Sequence, residues 1–303
     1  MAPAHAVVTA VVAVYLASTM FALGLEIGGA PKETKEQSRE KWHLVARGLV
    51  LNLLVLPLLT FGTVRALHAS SVIASALILL VASPGGGFAP HLVRIGGGDV
   101  PVAVELAILL GKITGFTAVP TAKWMLTLKT LEIRDLRFLA EILVVLFVPM
   151  LLGKWLRRKH RATGDRCLRP ARRFAVGMAL VTFAVVLAKA DEGVRRLLVA
   201  HGHGWIAVAV VGLAGPLVSW IAGGRHVGAR RAFSIGANAR DCALALMMAS
   251  VAFPQSAIHQ AIVGIWSVYA LTALLMALGM RTFGGAAARG TTGFHRREAH
   301  GQA

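Results

Sequence analysis

Four charged residues lie inside long apolar stretches of the sequence and are its first candidates for chemistry. Glu105 and Lys112 are seven residues apart, and Arg240 and Asp241 are adjacent. Charge within an apolar segment is costly, so such residues commonly mark a functional site. Arginine offers a planar fork of donors that suits a carboxylate or phosphate, and aspartate can accept a proton or bind a cation. The alternative is an internal network in which Glu105 pairs with Lys112, and Asp241 pairs with Arg240 or with a neighbour of Glu105.

The apolar stretches around these charges predict a membrane protein. The chain has 303 residues, of which 56% are hydrophobic and 15% are charged, and its mean hydropathy is +0.68. A soluble domain carries about 25% charged residues. The net charge of +18 would suit a nucleic-acid-binding protein, but the basic residues cluster between apolar runs and no nucleic-acid-binding motif occurs. We therefore expect the lipid bilayer, and no nucleic acid, as a partner.

Nine apolar runs approach the length of about 20 residues that a helix needs to cross a bilayer. They cover about 6–29, 43–65, 71–93, 100–123, 138–157, 173–190, 203–223, 232–252 and 256–280. If the N-terminus lies outside, every second connection between the runs lies inside. Lysine and arginine concentrate in these inside connections, above all in 154–173. This asymmetry predicts a multi-pass protein of the plasma (inner) membrane with the N-terminus out and the C-terminus in.

Two of the nine runs are broken. Two prolines and three glycines between 84 and 90 interrupt the third run, because proline removes a backbone donor and both residues disfavour a helix. Gly236 and several polar residues between 234 and 241 interrupt the eighth. Helices broken at matching places in two halves predict a secondary transporter with inverted repeats, although glycine also serves close helix packing.

These breaks define the expected organisation of the chain. We expect one transmembrane domain over 1–282, with repeat one over about 6–128 and repeat two over about 136–281. The basic segment 283–303 is expected to be a disordered tail. No serine, histidine and aspartate set shares a common depth, so we do not expect an enzyme.

Six short stretches resemble, in their order, sequences of the bile acid:sodium symporter family. They are Met-Phe-Ala-Leu-Gly-Leu at 20–25, Asn-Leu-Leu-Val-Leu-Pro at 52–57, Ser-Pro-Gly-Gly at 83–86, Gly-Asp-Val at 98–100, Ser-Ile-Gly-Ala-Asn at 234–238 and Trp-Ser-Val-Tyr at 266–269. The resemblance implies an all-α fold of inverted repeats, with a panel domain, a core domain and two broken helices that cross in mid-membrane. It also implies a small organic anion as the substrate. Nine-span members resemble ten-helix relatives that lack the first helix.

The chain departs from the family's pattern where sodium would bind. Ala89 and Pro90 replace a Ser-Asn pair, and Ser234 replaces a glutamate. Ala103 and Ala107 likewise stand where the family offers hydroxyl ligands. Because hard cations prefer several oxygen ligands, the resemblance implies that one sodium site is lost. The candidates for a residual site are Asn52 and Asn238, which replace glutamines, together with Asp241.

Together these features predict a secondary transporter of a small organic anion that works by alternating access. The expected substrate site lies at the two breaks and comprises Gly86, Ala89, Pro90, Ser234, Asn238, Arg240 and Asp241, with Glu105 and Lys112 close by. No cofactor is expected. Na⁺ and H⁺ are both candidate coupling ions, and uncoupled transport stays open. The alternatives are a cation/proton antiporter that uses Asp241 and a membrane sensor or scaffold that does not transport.

Overall fold

The computed structural model describes residues 2–29, 35–85, 87–126, 136–200, 204–253 and 256–298. Within these ranges the chain is helical apart from short connections. The helices are α1 (Ala2–Gly28), α2 (Lys35–Val50), α3 (Leu56–Ala66), α4 (Ser71–Val81), α5 (Ala89–Ile95), α6 (Val100–Leu126), α7 (Leu136–Lys159), α8 (Arg161–Ala200), α9 (Gly204–Ala222), α10 (Val227–Asn238), α11 (Cys242–Ala252) and α12 (Ser256–Glu298). The all-α prediction is confirmed for this part of the chain.

Several helices have the length and composition of membrane spans. Among the described residues, Lys41–Ala66, Gly204–Ala222 and Ala257–Thr282 are long and apolar enough to cross a bilayer. Val100–Thr114 and Phe116–Leu126 pass the same test together across a bend of 66°. The protein is therefore an all-α integral membrane protein, while the number of nine spans and the repeat boundaries stay predictions.

The π-helical turn Leu51–Val55 joins α2 to α3 within one of these spans. Pro57 follows at the start of α3 and has no N–H to donate to the preceding turn. The N–H of Leu56 bonds instead to the carbonyl of Leu51, five residues back. Such turns widen a helix locally and are frequent at functional sites. This one carries Asn52.

The two broken helices meet each other at their breaks. Residues 82–88 separate α4 from α5, and residues 239–241 separate α10 from α11. Pro84 and Arg240 form an antiparallel bridge, and the N–H of Asp241 donates to the carbonyl of Ser83 at 2.9 Å. Each interrupted segment thus satisfies part of the backbone of the other, as non-helical backbone inside a membrane requires. We call residues 82–88 and 239–241 the crossing.

The second break is shorter than the sequence indicated. Residues 234–238 belong to α10, so the expected break over 234–241 is wrong at its start. The polar side chains there do not compete with their own helix, because they bond to α9. The Ser234 hydroxyl donates to the Pro216 carbonyl at 2.7 Å, and Asn238 Nδ2 donates to the Gly212 carbonyl at 3.0 Å.

The first break depends on Gly85, which has a φ of +93°. A side chain rarely adopts this conformation. A Cβ there would also lie 2.9 Å from the Leu110 Cβ of α6. The glycine therefore allows both the turn and the close approach of α6.

Two apolar clusters pack on either side of the crossing. One joins α4, α9, α11 and α12 around Leu80, Val211, Met248 and Ile265. The other joins α2, α6 and α10 around Val45, Leu106 and Phe233. The burial of these side chains holds the broken helices in place.

At the C-terminal end, α12 continues to Glu298. The disordered tail expected over 283–303 stays a prediction. Residues 299–303 lie outside the described ranges.

Candidate functional site

Arg240 is the central residue of the crossing. Only 3% of its surface is exposed. Its backbone is held by three contacts: the bridge to Pro84, the N–H bond to the Asn238 carbonyl at 3.2 Å, and a bond at 3.0 Å from Trp266 Nε1 to its carbonyl. Its side chain reaches the π-helical turn, where Nη1 donates to Asn52 Oδ1 at 3.2 Å. The break in α10–α11 therefore presents a fixed cation toward α2 and α3.

No carboxylate neutralises this cation within the described residues. The ion pairs of 4.0 Å or less there involve Glu26, Glu105 and Asp165, and none involves Arg240. The neighbouring Asp241 has a different role at its carboxylate, where Oδ1 accepts the N–H of Leu244 at 3.1 Å and so caps α11. The alternative in which Asp241 pairs with Arg240 is thus not what the structure shows.

Asn52 is the one side chain among the described residues that accepts a hydrogen bond from the Arg240 guanidinium. The amide is 4% exposed. Its Nδ2 donates to the Gly48 carbonyl at 2.9 Å, which leaves Oδ1 to accept from the guanidinium. A guanidinium has five N–H donors, so this contact uses only a fraction of its capacity.

A small cavity adjoins Arg240 and holds about the space that one water molecule needs. We call it the Arg240 cavity. Its walls are Leu56, Thr60, Leu77, Val81, Val211, Gly215, Ala237, Asn238, Arg240 and Tyr269. The Tyr269 hydroxyl is already engaged, because it donates to the Val208 carbonyl at 3.0 Å. The Thr60 hydroxyl is buried and has no partner among the described residues. The cavity thus combines a cation and a hydroxyl within apolar walls, which suits a small anionic group.

The other residues predicted at the breaks lie around the crossing rather than in the cavity walls. Ala89 and Pro90 are buried at the start of α5. Ser234 is buried against α9 through its bond to Pro216. Gly86 lies outside the described residues.

Glu105 and Lys112 are not brought together. Glu105 Oε2 lies 3.7 Å from Lys41 Nζ of α2, and Lys112 is exposed with its Nζ 5.9 Å from the centre of the Phe147 ring of α7. Seven helical residues separate the two by about 10 Å along the axis, and each side chain contacts a different neighbouring helix. Neither lines the Arg240 cavity. The pairing predicted as an alternative does not form.

The candidates for a residual sodium site each have a separate partner. Asn52 accepts from Arg240, Asn238 donates to α9, and Asp241 caps α11. Among the described residues, no group of three or more His, Cys, Asp and Glu side chains could hold a metal ion. Sodium binding by these three residues stays a prediction.

Sequence reasoning missed the two hydroxyl-bearing residues of the cavity, Thr60 and Tyr269. Tyr269 lies in a stretch used for the resemblance, but nothing in the sequence gave it a place beside Arg240. Thr60 is one of two threonines in the apolar run 43–65, and such residues usually bond to their own helix. Only the fold reveals that it does not.

A second group of charges lies at the ends of α1 and α5 and near the start of α8. Arg94 donates to both oxygens of Glu26, at 3.1 and 2.8 Å, and Arg172 Nε donates to Glu26 Oε1 at 2.5 Å. We call these three residues the Glu26 cluster. Here a single buried carboxylate accepts from two arginines.

One family comparison bears on this architecture. The sequence model described as "Sodium Bile acid symporter family" matches residues 13–195, more than half of the chain. The match includes the π-helical turn, the first break and the Glu26 cluster, and it ends before Arg240. No curated protein matches the chain.

Proposed function

The chain belongs to the sodium bile acid symporter family, and on that premise we propose that it moves a small organic anion across the membrane with Arg240 as the residue that binds the anion. Members of this family are transporters and not enzymes. The proposed cycle is alternating access around the crossing, in which the core bundle moves against the panel.

The observation that carries the proposal is the buried guanidinium of Arg240, which has no carboxylate partner among the described residues. Taking a cation out of water costs several kcal/mol even after the protein relaxes. One amide oxygen, that of Asn52, returns about 1.5–3 kcal/mol at most. A substrate anion that reaches the guanidinium when the crossing opens during alternating access would supply the missing compensation. A carboxylate fits the planar fork of the guanidinium in two-point contact.

The same contact supports transport without sodium. In the resemblance, Asn52 stands where the family has a sodium-binding amide, and here its oxygen accepts from Arg240. Ala89 and Pro90 offer no side-chain oxygen at the start of α5. We infer that the tethered guanidinium takes over the part of a sodium ion in offsetting the charge of the substrate.

Proton coupling has less support. Its candidates, Asp241 and Glu105, are occupied by a helix cap and by Lys41, respectively. The same cap weakens the cation/proton antiporter alternative, which needs an acidic residue open to the ion at the crossing.

The orientation of the chain is a separate proposal. The basic segment 154–173 favours the cytoplasmic side of the plasma (inner) membrane, with the N-terminus out and the C-terminus in. Cys167 lies in this segment and is partly exposed. An impermeant maleimide should label it in inverted vesicles and not in intact cells. Labelling of intact cells would overturn the orientation.

The transport proposal is tested in two steps on the purified full-length protein. Acetate, pyruvate, benzoate and taurocholate are first compared by thermal shift, because a ligand that binds the native state raises the melting temperature. Radiolabelled uptake of the most stabilising anion is then measured in proteoliposomes, with sodium replaced by choline and empty liposomes as the control. We expect saturable uptake at similar rates in sodium buffer and in choline buffer. Uptake that requires sodium would contradict the coupling proposal, and no binding or uptake of any of the four would contradict the assignment of an organic anion substrate.

A further inference from the structure

The hydroxyls of Thr19, Thr60 and Thr114 are buried and have no hydrogen-bond partner among the described residues, and of these three only Thr60 lines the Arg240 cavity. By contrast, Thr63, Ser83 and Ser219 each donate to the carbonyl four residues back along the chain, at 2.7–2.8 Å. Thr60 is fully buried and makes no such bond to Leu56 or to any other described residue. A buried hydroxyl without a partner costs about 1–3 kcal/mol, and an acceptor bound in the cavity would recover this cost for Thr60.

Thr60 and Arg240 line the same cavity from different helices. Thr60 belongs to α3 and Arg240 to the second break, and both belong to the walls of the Arg240 cavity. One group is a cation with unused donors and the other is a neutral donor. This pairing selects a ligand that accepts hydrogen bonds and carries negative charge.

The size and lining of the cavity narrow the ligand further. Its space is that of about one water molecule, which is too small for a divalent oxyanion. The remaining walls are mostly apolar, with Leu56, Leu77, Val81 and Val211 among them, and they offer nothing to replace the hydration of a second charge. A monovalent anion of atomic size meets these limits.

We propose that the Arg240 cavity is a binding site for a halide-sized monovalent anion, held between the Arg240 guanidinium and the Thr60 hydroxyl. The ion neutralises Arg240 while no organic substrate is bound. The proposal shares Arg240 with the proposed function and rests on that function only in its last step, in which the substrate carboxylate displaces the ion.

The test is a thermal-shift titration of the purified full-length protein at constant ionic strength. Sodium chloride or sodium bromide replaces sodium isethionate, whose anion is too large for the cavity, and sodium sulfate is the control for a general salt effect. We expect a saturable rise in melting temperature with chloride and bromide only. No rise with bromide, or an equal rise with sulfate, would overturn the proposal, and in that case a water molecule is the partner of Thr60.

Variants of α3 locate the site. Thr60→Val keeps the shape of the side chain and removes the hydroxyl, so the apparent affinity for bromide should fall about tenfold, as for one hydrogen bond of about 1.4 kcal/mol. Thr60→Ser should retain most of the affinity. Thr63→Val is the matched control on the same helix, because its hydroxyl bonds to Leu59 outside the cavity. A wild-type response of Thr60→Val would overturn the assignment.

Two further outcomes separate this proposal from the proposed function. If organic anions stabilise the wild type and halides do not, the halide site fails and the transport proposal stands. If halides bind and none of the organic anions is taken up, the halide site stands and the transport proposal fails. Competition, in which bromide weakens the shift caused by the organic anion, is expected when both are correct.

Discussion

The Glu26 cluster and the crossing both contain arginines, but the arginines of the two regions differ in their burial and in their partners. In the Glu26 cluster, Arg94 and Arg172 share a carboxylate that is 10% exposed, and about a third of each arginine side chain reaches solvent. At the crossing, Arg240 is almost fully buried and bonds to a neutral amide. Within the part of the chain that the structure describes, the partly exposed arginines therefore have a carboxylate partner and the most deeply buried arginine of the two regions has none.

This difference separates two uses of an arginine. A paired arginine ties elements together, as Glu26 ties the ends of α1 and α5 to α8. An arginine that is buried without a carboxylate gains from any anion that reaches it, which makes it a binding residue. The contrast predicts that substitutions in the Glu26 cluster act on stability, whereas substitutions at Arg240 act on anion binding.

The largest effect is expected for Arg240→Met, which keeps much of the side-chain volume and removes the charge. The affinity for the stabilising organic anion should fall at least about 100-fold, because truncating one side of a buried charge contact costs about 2–5 kcal/mol. Arg240→Lys should recover little, since a point charge cannot reproduce the two-donor fork. Thermal-shift titration and uptake in proteoliposomes measure the anion binding and the transport of each variant. Normal binding by Arg240→Met would remove Arg240 from the site.

Glu26→Gln should have the next largest effect, on stability. The change strands Arg94 and Arg172, and hydrogen bonds to charged groups are worth about 1.5–3 kcal/mol. We expect a loss of about 2 kcal/mol in an SDS unfolding titration, with unchanged anion affinity in the folded fraction. Asp165→Asn is the control, because its pair with Arg157 is exposed on the carboxylate side and should contribute less than about 1 kcal/mol. A loss of anion affinity in Glu26→Gln at full stability would abolish the distinction between the two regions.

A double-mutant cycle tests the bond between Asn52 and Arg240. Asn52→Leu removes the acceptor of a charged donor and should cost about 1.5 kcal/mol of unfolding free energy. In the Arg240→Met background the same change should cost much less, because the charge that needs the oxygen is gone. Equal costs in both backgrounds would show that Asn52 acts only through its bond to Gly48.

Asp241→Asn should have the smallest effect. Asparagine caps a helix as well as aspartate does, so the stability should change by a few tenths of a kcal/mol and uptake should persist. Asp241→Ala, which removes the cap, should cost about 1 kcal/mol. Loss of uptake in Asp241→Asn with normal stability would instead support a proton or cation role for Asp241.

The sequence predicted the crossing well, because its signals are local and strong. The prolines and glycines between 84 and 90 cannot continue a helix, and the charges at 240 and 241 mark the second break. The start of that break was misplaced because Ser234 and Asn238 look like helix breakers along the chain, whereas in the fold they bond to α9. A partner on another helix leaves no trace in local sequence.

Charge pairing was the least predictable feature. Glu105 and Lys112 share one face of a helix and were paired in the alternative network, but Lys41 of α2 supplies the partner of Glu105 from 64 positions away in the chain. The Asn52–Arg240 contact spans 188 positions. Thr60 carries no signal at all, because a threonine that bonds to its own helix and one that lines a cavity have the same sequence.

The most direct test of the central claim is the melting temperature of Arg240→Met beside the wild type, in HEPES and isethionate without small anions. If Arg240 is a buried cation without a carboxylate partner, its removal relieves a desolvation cost, and the melting temperature should stay the same or rise. If Arg240 instead neutralises a buried carboxylate, the change strands that charge and should cost about 3–5 kcal/mol. A large fall in melting temperature would therefore contradict the account.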